Sequence, residues 1–220
     1  MRSLNNVSVK TKLILILFFP ILGLIIFASL QSFDYYNKYT SMKKVETLVL
    51  LSVNLSKLVH ETQKERGMTT GYLASKGEKF QSQLLEQKNS TNKKFTTIKN
   101  SIHKVDFKSY PQIFQKNINH ILLSLEDLKN IRLKVQTLNI SSDKAFKYYT
   151  NANTIILNTI KLIAKLANDA KITRDIIAYA NFLLSKERSG MERAVITNTL
   201  VLDKLSKDTE TKIASLITAQ

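Results

Sequence analysis

The sequence predicts an all-α protein: one transmembrane helix, then an antiparallel four-helix bundle. Three observations predict it. An uncharged run of 21 residues, Leu13 to Phe33, stands near the N-terminus. Only 5 Gly and 2 Pro occur in 220 residues, too few breakers for a fold of many strands and tight turns. Beyond residue 34 the apolar residues step by three and four, the period of a helix seam, and no stretch has a convincing period of two.

The first element is the uncharged run. A bilayer core needs roughly 20 apolar residues in a helix. Arg2, Lys10 and Lys12 precede the run, and no acidic residue appears before Asp34. The positive-inside rule puts residues 1–12 in the cytoplasm, residues 13–33 in the inner membrane as a single pass, and residues 34–220 outside, periplasmic or extracellular. Pro20 and Gly23 are tolerable within a membrane helix. A cleaved signal peptide is the rival reading. It would have a shorter apolar core and a small-x-small site, of which Phe27-Ala28-Ser29-Leu30 is a poor version.

The remaining elements follow from their seams. Leu48, Leu51, Leu55 and Leu58 continue the first helix straight from the membrane. Phe114, Ile118, Ile121, Leu125 and Leu128 mark another helix, and Ile156, Ile160, Ile163, Ala167 and Ala170 a further one. Breaks are expected at Gly77, at Val105 to Pro111 with Pro111 in the first turn of the next helix, at Asn139 to Ser142 with Ser142 as N-cap, and around Asn168 to Thr173. Leu205 to Gln220 still reads as helix, so the chain is expected to stop within an element. The same seams would serve a homodimer, which is the expected assembly.

Composition excludes several functions. The chain has no Cys, so thiolate catalysis, disulfides and Cys-ligated zinc are out. His60, His103 and His120 have no metal-ligand spacing, and Glu61 and Glu65 form no defined acid–base pair. There is no phosphate loop and no nucleophile elbow, so no catalytic residue, metal or cofactor is expected. The net charge of +16 raises nucleic acid as a partner. The lysines are spread along helical stretches, however, and no nucleic-acid-binding motif is present, so a solvated basic surface is the reading.

Two segments look alike, about 120 residues apart: Gln63-Lys64-Glu65-Arg66-Gly67-Met68 and Ser185-Lys186-Glu187-Arg188-Ser189-Gly190-Met191-Glu192-Arg193-Ala194. In the first, Gly67 and Gly71 sit inside a helical pattern, at a cost of about 1 kcal/mol each relative to Ala. With Thr69 and Thr70 they make a small face that lets a backbone or a ligand approach. Arg66 shares its stripe with Val59 and Leu73, which predicts burial and hence a partner. That partner is either a carboxylate (Glu65, Glu187 or Glu192) or a bound anion. In the second segment Gly190 and Ala194 form another small pair, Arg193 shares its stripe with Ile196 and Leu200, and Arg188 has Glu192 four residues on. Two guanidinium forks would suit a small flat oxyanion better than two ammonium groups would.

These blocks resemble the NIT (nitrate- and nitrite-sensing) domain of bacterial transmembrane receptors. The first block, from Val59 through Tyr72-Leu73 and Gly77, is similar to that family's Gln-x-Glu-Arg-Gly, Tyr-Leu, Gly pattern. The second is similar to its closing Lys-Glu-x-x-Gly-x-Glu-Arg-Ala. The NIT-like core is about residues 50 to 205. The resemblance implies packed four-helix bundles that hold nitrate or nitrite through Arg66 and Arg193, with Arg188 at a variable position of the pattern. Glu65, Gly67, Thr69, Thr70 and Gly190 would line the site. It also implies a downstream signalling module, such as a chemotaxis domain, that this chain lacks. Asn92 departs from the family's Asp and bears on a local packing contact. The alternative is a helical interaction or structural membrane protein whose arginines pair internally.

Overall fold

A computed structural model describes residues 8–167, 169–203 and 205–218. Six α-helices account for most of them, with no strand among the described residues: α1 (Val9–Ala74), α2 (Gln81–Ile102), α3 (Gln112–Gln136), α4 (Ser142–Leu166), α5 (Ala170–Leu202) and α6 (Lys207–Thr218). The chain divides into two compact units, Met1–Lys44 and Val45–Gln220, and α1 contributes to both.

In the first unit, residues 13–33 are helical and exposed throughout. This is the one helix among the described residues that is long and apolar enough to cross a membrane, with a mean hydropathy of 2.9 in its most apolar stretch. Pro20 lies inside it. Arg2 lies outside the described residues.

The second unit is built on the predicted seams. Leu48, Leu51, Leu55 and Leu58 of α1 are buried against Phe114, Ile118 and Ile121 of α3 and Ile156, Ile160 and Ile163 of α4. Burying such side chains contributes roughly 1.5–3 kcal/mol each. The α4 seam closes at Ala167, and Ala170 is exposed at the start of α5.

Cross-helix contacts fix the directions. Asn54 reaches Ser101 and Glu61 reaches Gln87, so α1 and α2 are antiparallel. Thr62 meets Asn153 and Arg66 meets Thr150, so α1 and α4 are antiparallel. Ser56 meets Tyr179 and Gln63 meets Glu187, so α1 and α5 run parallel. The two similar sequence blocks therefore lie side by side at one height of the bundle.

The helix ends refine the expected breaks. Gly77 follows α1 with φ +90, a left-handed conformation that glycine adopts without strain, and its N–H closes on Tyr72 O at 2.9 Å. Phe80 precedes α2 with φ 68, and its ring lies where a side chain at Gly71 would have to go. Pro111 sits at the N-cap of α3 rather than in its first turn. Ser141, not Ser142, caps α4: its backbone is extended and its hydroxyl accepts from the Lys144 N–H, while Ser142 turns its hydroxyl to Asn198 at 3.0 Å. Asp169 caps α5; Asn168 lies outside the described residues. The last stretch is a separate helix, because Asp203 ends α5 in a left-handed conformation. Gln220 lies outside the described residues.

Candidate functional site

Midway along the second unit the α1 seam turns polar. After Leu58 and Val59 the buried residues are Thr62, Glu65, Arg66, Thr69 and Thr70. Glu65 and Arg66 are both 0% exposed. Neither charge is tolerable there without a partner, and each has one.

Arg66 reaches Glu187 of α5, which is 4% exposed. Its Nη1 donates to Glu187 Oε1 and, at 2.9 Å, to Thr150 Oγ1; its Nη2 donates to Glu187 Oε2 at 3.4 Å. Glu187 also accepts from Gln63 Nε2 at 2.7 Å and Asn153 Nδ2 at 3.3 Å. A guanidinium has five N–H groups. These contacts use three of them, and the Nε is buried without a partner. The Nε and the second Nη2 donor lie on one edge of the planar group, a pair that matches two oxygens. Gly190 makes room for Arg66, since a Cβ there would lie 3.1 Å from Nη2. The Phe146 ring lies 5.2 Å from the guanidinium carbon.

Glu65 faces the other way. It accepts from Arg132 Nε at 2.7 Å and Nη2 at 2.8 Å, and from the Tyr149 hydroxyl at 2.8 Å. Burial works against the charge on Arg132, but the hydrogen bond and charge of Glu65 outweigh it and hold Arg132 above its ordinary value. Burial, and then the Glu65 charge, hold Tyr149 well above the usual phenol range. Arg132 Nη1 also donates to Asn92 Oδ1 at 2.6 Å, so an amide at position 92 still supplies an acceptor.

Beside this polar layer, between α1 and α5, lies a cavity of about 290 Å³. Gly67 and Gly190 open its wall, Met68 and Phe80 give it an apolar side, and Lys64, Lys186 and Arg193 give it three cations. Among the described residues no carboxylate lines it. The Lys186 ammonium lies 3.0 Å from His60 Nδ1. Burial, with Lys186 and Lys64 nearby, lowers His60 against the opposing pull of Glu61. Burial, Lys64 and Arg193 lower Lys186, again against Glu61. Burial is the larger cause of both shifts, and the neighbouring positive charges add to it.

The expected site residues thus divide. Arg66, Glu65, Thr69 and Thr70 belong to the buried layer. Gly67, Gly190 and Arg193 line the cavity, Arg193 as an exposed residue on its rim. Arg188 is exposed on α5. Arg132, Tyr149, Lys186 and His60 were not singled out from sequence. Arg132 carried a signal: it stands four residues after Leu128 and three before Val135, on the α3 seam, where Arg66 stands on that of α1.

A profile of the family described as nitrate and nitrite sensing (NIT) matches residues 57–220, most of the chain and both arginine blocks. The chain belongs to the NIT family. The family is a sensing module rather than a catalyst. The fold of this NIT chain is similar to that in a solved structure of the NasR transcription antiterminator, with a TM-score of 0.77 and 18% identity. The match covers 85% of this chain and 52% of that one, so the chain spans about half the length of that relative. At this identity the likeness is one of fold. No curated protein matches the chain.

Proposed function

We propose that this NIT chain is the extracytoplasmic, ligand-sensing module of a bacterial transmembrane signalling receptor, and that it holds nitrate or nitrite between α1 and α5. The observation that carries this reading is the cavity between the two blocks, walled by three cations and no carboxylate. Arg66 of α1 and Arg193 of α5 are the primary ligands, with Arg188 an exposed further cation on α5. Arg66 can serve without giving up Glu187, because its Nε is buried and unpartnered beside the close approach at Gly190. Arg193 has no carboxylate partner among the described residues and supplies a planar fork at the rim. Gly67 and Gly190 give the anion room, while Glu65, Thr69 and Thr70 hold the layer that carries Arg66. The apolar run from Leu13 to Phe33 supports membrane anchorage, and Lys10 and Lys12 support the outward placement of the rest.

Calorimetric titration of the full chain in detergent with nitrate, nitrite, chloride and sulfate tests the reading. A hydrogen bond to a charged group contributes about 1.5–3 kcal/mol. Arg66→Ala or Arg193→Ala should therefore weaken binding by about ten- to a hundredfold. Arg66→Lys should also fail, because an ammonium cannot reproduce the fork. Absence of binding by the unaltered chain would refute the sensor reading.

The second reading, an interaction or structural protein with internally paired arginines, is favoured by the Arg66–Glu187 and Arg132–Glu65 pairs. It forecasts that Arg66→Ala lowers stability and that no anion raises the melting temperature.

A further inference from the structure

The cavity wall holds two residues for which the arginine reading has no role. Lys186 of α5 is half-buried on it, and His60 of α1 lies opposite, Nζ to Nδ1 at 3.0 Å. An ammonium has only donors, so the imidazole must accept: His60 is neutral at Nδ1 and carries its proton on Nε2. One of the three Lys186 donors is thereby spent and two remain. The charged groups near Lys186 are Lys64 and Glu61 from α1 and Arg193 from α5. Glu61 is itself engaged, taking a hydrogen bond from Gln87 at 2.7 Å and a contact from Lys64 at 3.4 Å. No ion pair to Lys186 is found among the described residues. A lysine held on a cavity wall by a neutral base, with its charge unmatched, has the form of an anion ligand.

We propose that Lys186 is a cationic ligand of the anion in this cavity, and that His60 is the positioning residue that keeps its ammonium on the wall. The proposal rests on the reading that the cavity takes a small oxyanion. Lysine acts as a point charge without the planar preference of an arginine fork. Lys186 therefore contributes affinity for nitrate and nitrite alike, and discrimination between them lies with the arginines.

The arrangement also links binding to protons. An anion in the cavity stabilises positive charge on its wall, so it raises the affinity of His60 for a proton. Sodium nitrate should then bind with proton uptake, and affinity should rise as pH falls into the range where His60 gains its proton, a range that burial and then the lysines hold below the ordinary imidazole value. Protonated His60 can no longer accept from Lys186, but it adds a charge facing the anion.

The test is calorimetric titration of the full chain with sodium nitrate at pH 8 and pH 6. Lys186→Gln should bind about tenfold more weakly at pH 8. His60→Gln retains an oxygen to accept from Lys186 but cannot titrate. It should lose the gain in affinity that the unaltered chain shows between pH 8 and pH 6. Should the unaltered chain bind while Lys186→Gln matches it, the proposal for Lys186 falls and the sensor reading stands. An unchanged pH profile in His60→Gln overturns the role of His60, even where Lys186→Gln does not fold. No binding by the unaltered chain overturns both.

Discussion

At Arg66 the energetics of a buried charge set the terms of the site. Two opposite charges out of water are held by good geometry and full hydrogen bonding, and removing one partner costs about 3–5 kcal/mol. Glu187 supplies the geometry, with Gln63 and Asn153 completing its shell. Glu187→Ala should therefore destabilise the chain by about 3–5 kcal/mol in urea denaturation. It also leaves a guanidinium whose fork a nitrate could occupy. The rise in melting temperature with nitrate should then be larger in Glu187→Ala than in the unaltered chain, read by thermal shift; an equal or smaller rise would mean that the anion does not reach Arg66. The burial of Arg66 was legible in sequence, because Val59 and Leu73 bracket it on one stripe. Its partner was legible only as one of three carboxylates or a bound anion, since spacing along one helix says nothing about which residue of another helix stands at the same height. Arg193 was misleading for a related reason. Ile196 and Leu200 suggested an inward stripe, but Leu200 is 75% exposed and Arg193 is exposed with it. A short apolar stripe near the end of an amphipathic helix does not fix which way that stripe faces.

At the level of elements, the parallel pairing of α1 and α5 is what brings the two blocks together. Up-and-down connections made such a meeting possible, but the sequence did not specify which helices become neighbours. Helix ends were legible where turn chemistry is strong, as at Gly77, blurred by one residue where two serines adjoin, as at Ser141 and Ser142, and only loosely placed before α5, where Asp169 is the cap. The break at Asp203 was invisible because a left-handed Asp has no strict sequence mark. An anion between α1 and α5 can signal only by favouring one packing of the two helices over another. Ser56 Oγ and Tyr179 Oη lie 2.6 Å apart across this interface, and Asn54 and Ser101 lie 2.9 Å apart across the α1–α2 interface. Cysteines at Ser56 and Tyr179 should crosslink at a rate that changes when nitrate is added, while a pair at Asn54 and Ser101 should change less. Rates that respond identically would place the movement elsewhere than between α1 and α5.

For the molecule as a whole, the sequence is most explicit about the membrane and least explicit about what the sensor drives. A run of 21 uncharged residues is a direct statement about solvent, because each charge omitted removes a cost of about 2.5–3.5 kcal/mol at the bilayer centre. An output module, by contrast, leaves no physical trace in a sensor bundle. The proposed outward orientation is argued from the basic residues before the run. Lys10 and Lys12 resist translocation, and the stretch after Phe33 begins with Asp34 and carries its next cation at Lys38. Within about 15–20 residues of the span, Arg2, Lys10 and Lys12 before it face Lys38, Lys43 and Lys44 after it, so the argument rests on Lys10 and Lys12 standing nearer to the run; the basic residues farther out belong to a long domain, which translocates largely regardless of charge. The expected outcome is that alkaline phosphatase fused after Thr218 is active in bacteria and a green fluorescent protein fused at the same point is dark. Replacing Lys10 and Lys12 by Glu should weaken or invert that pattern if these two charges set the orientation. A bright fluorescent fusion on the unaltered chain would put the cation-lined cavity in the cytoplasm, and the module would then read an internal rather than an external anion.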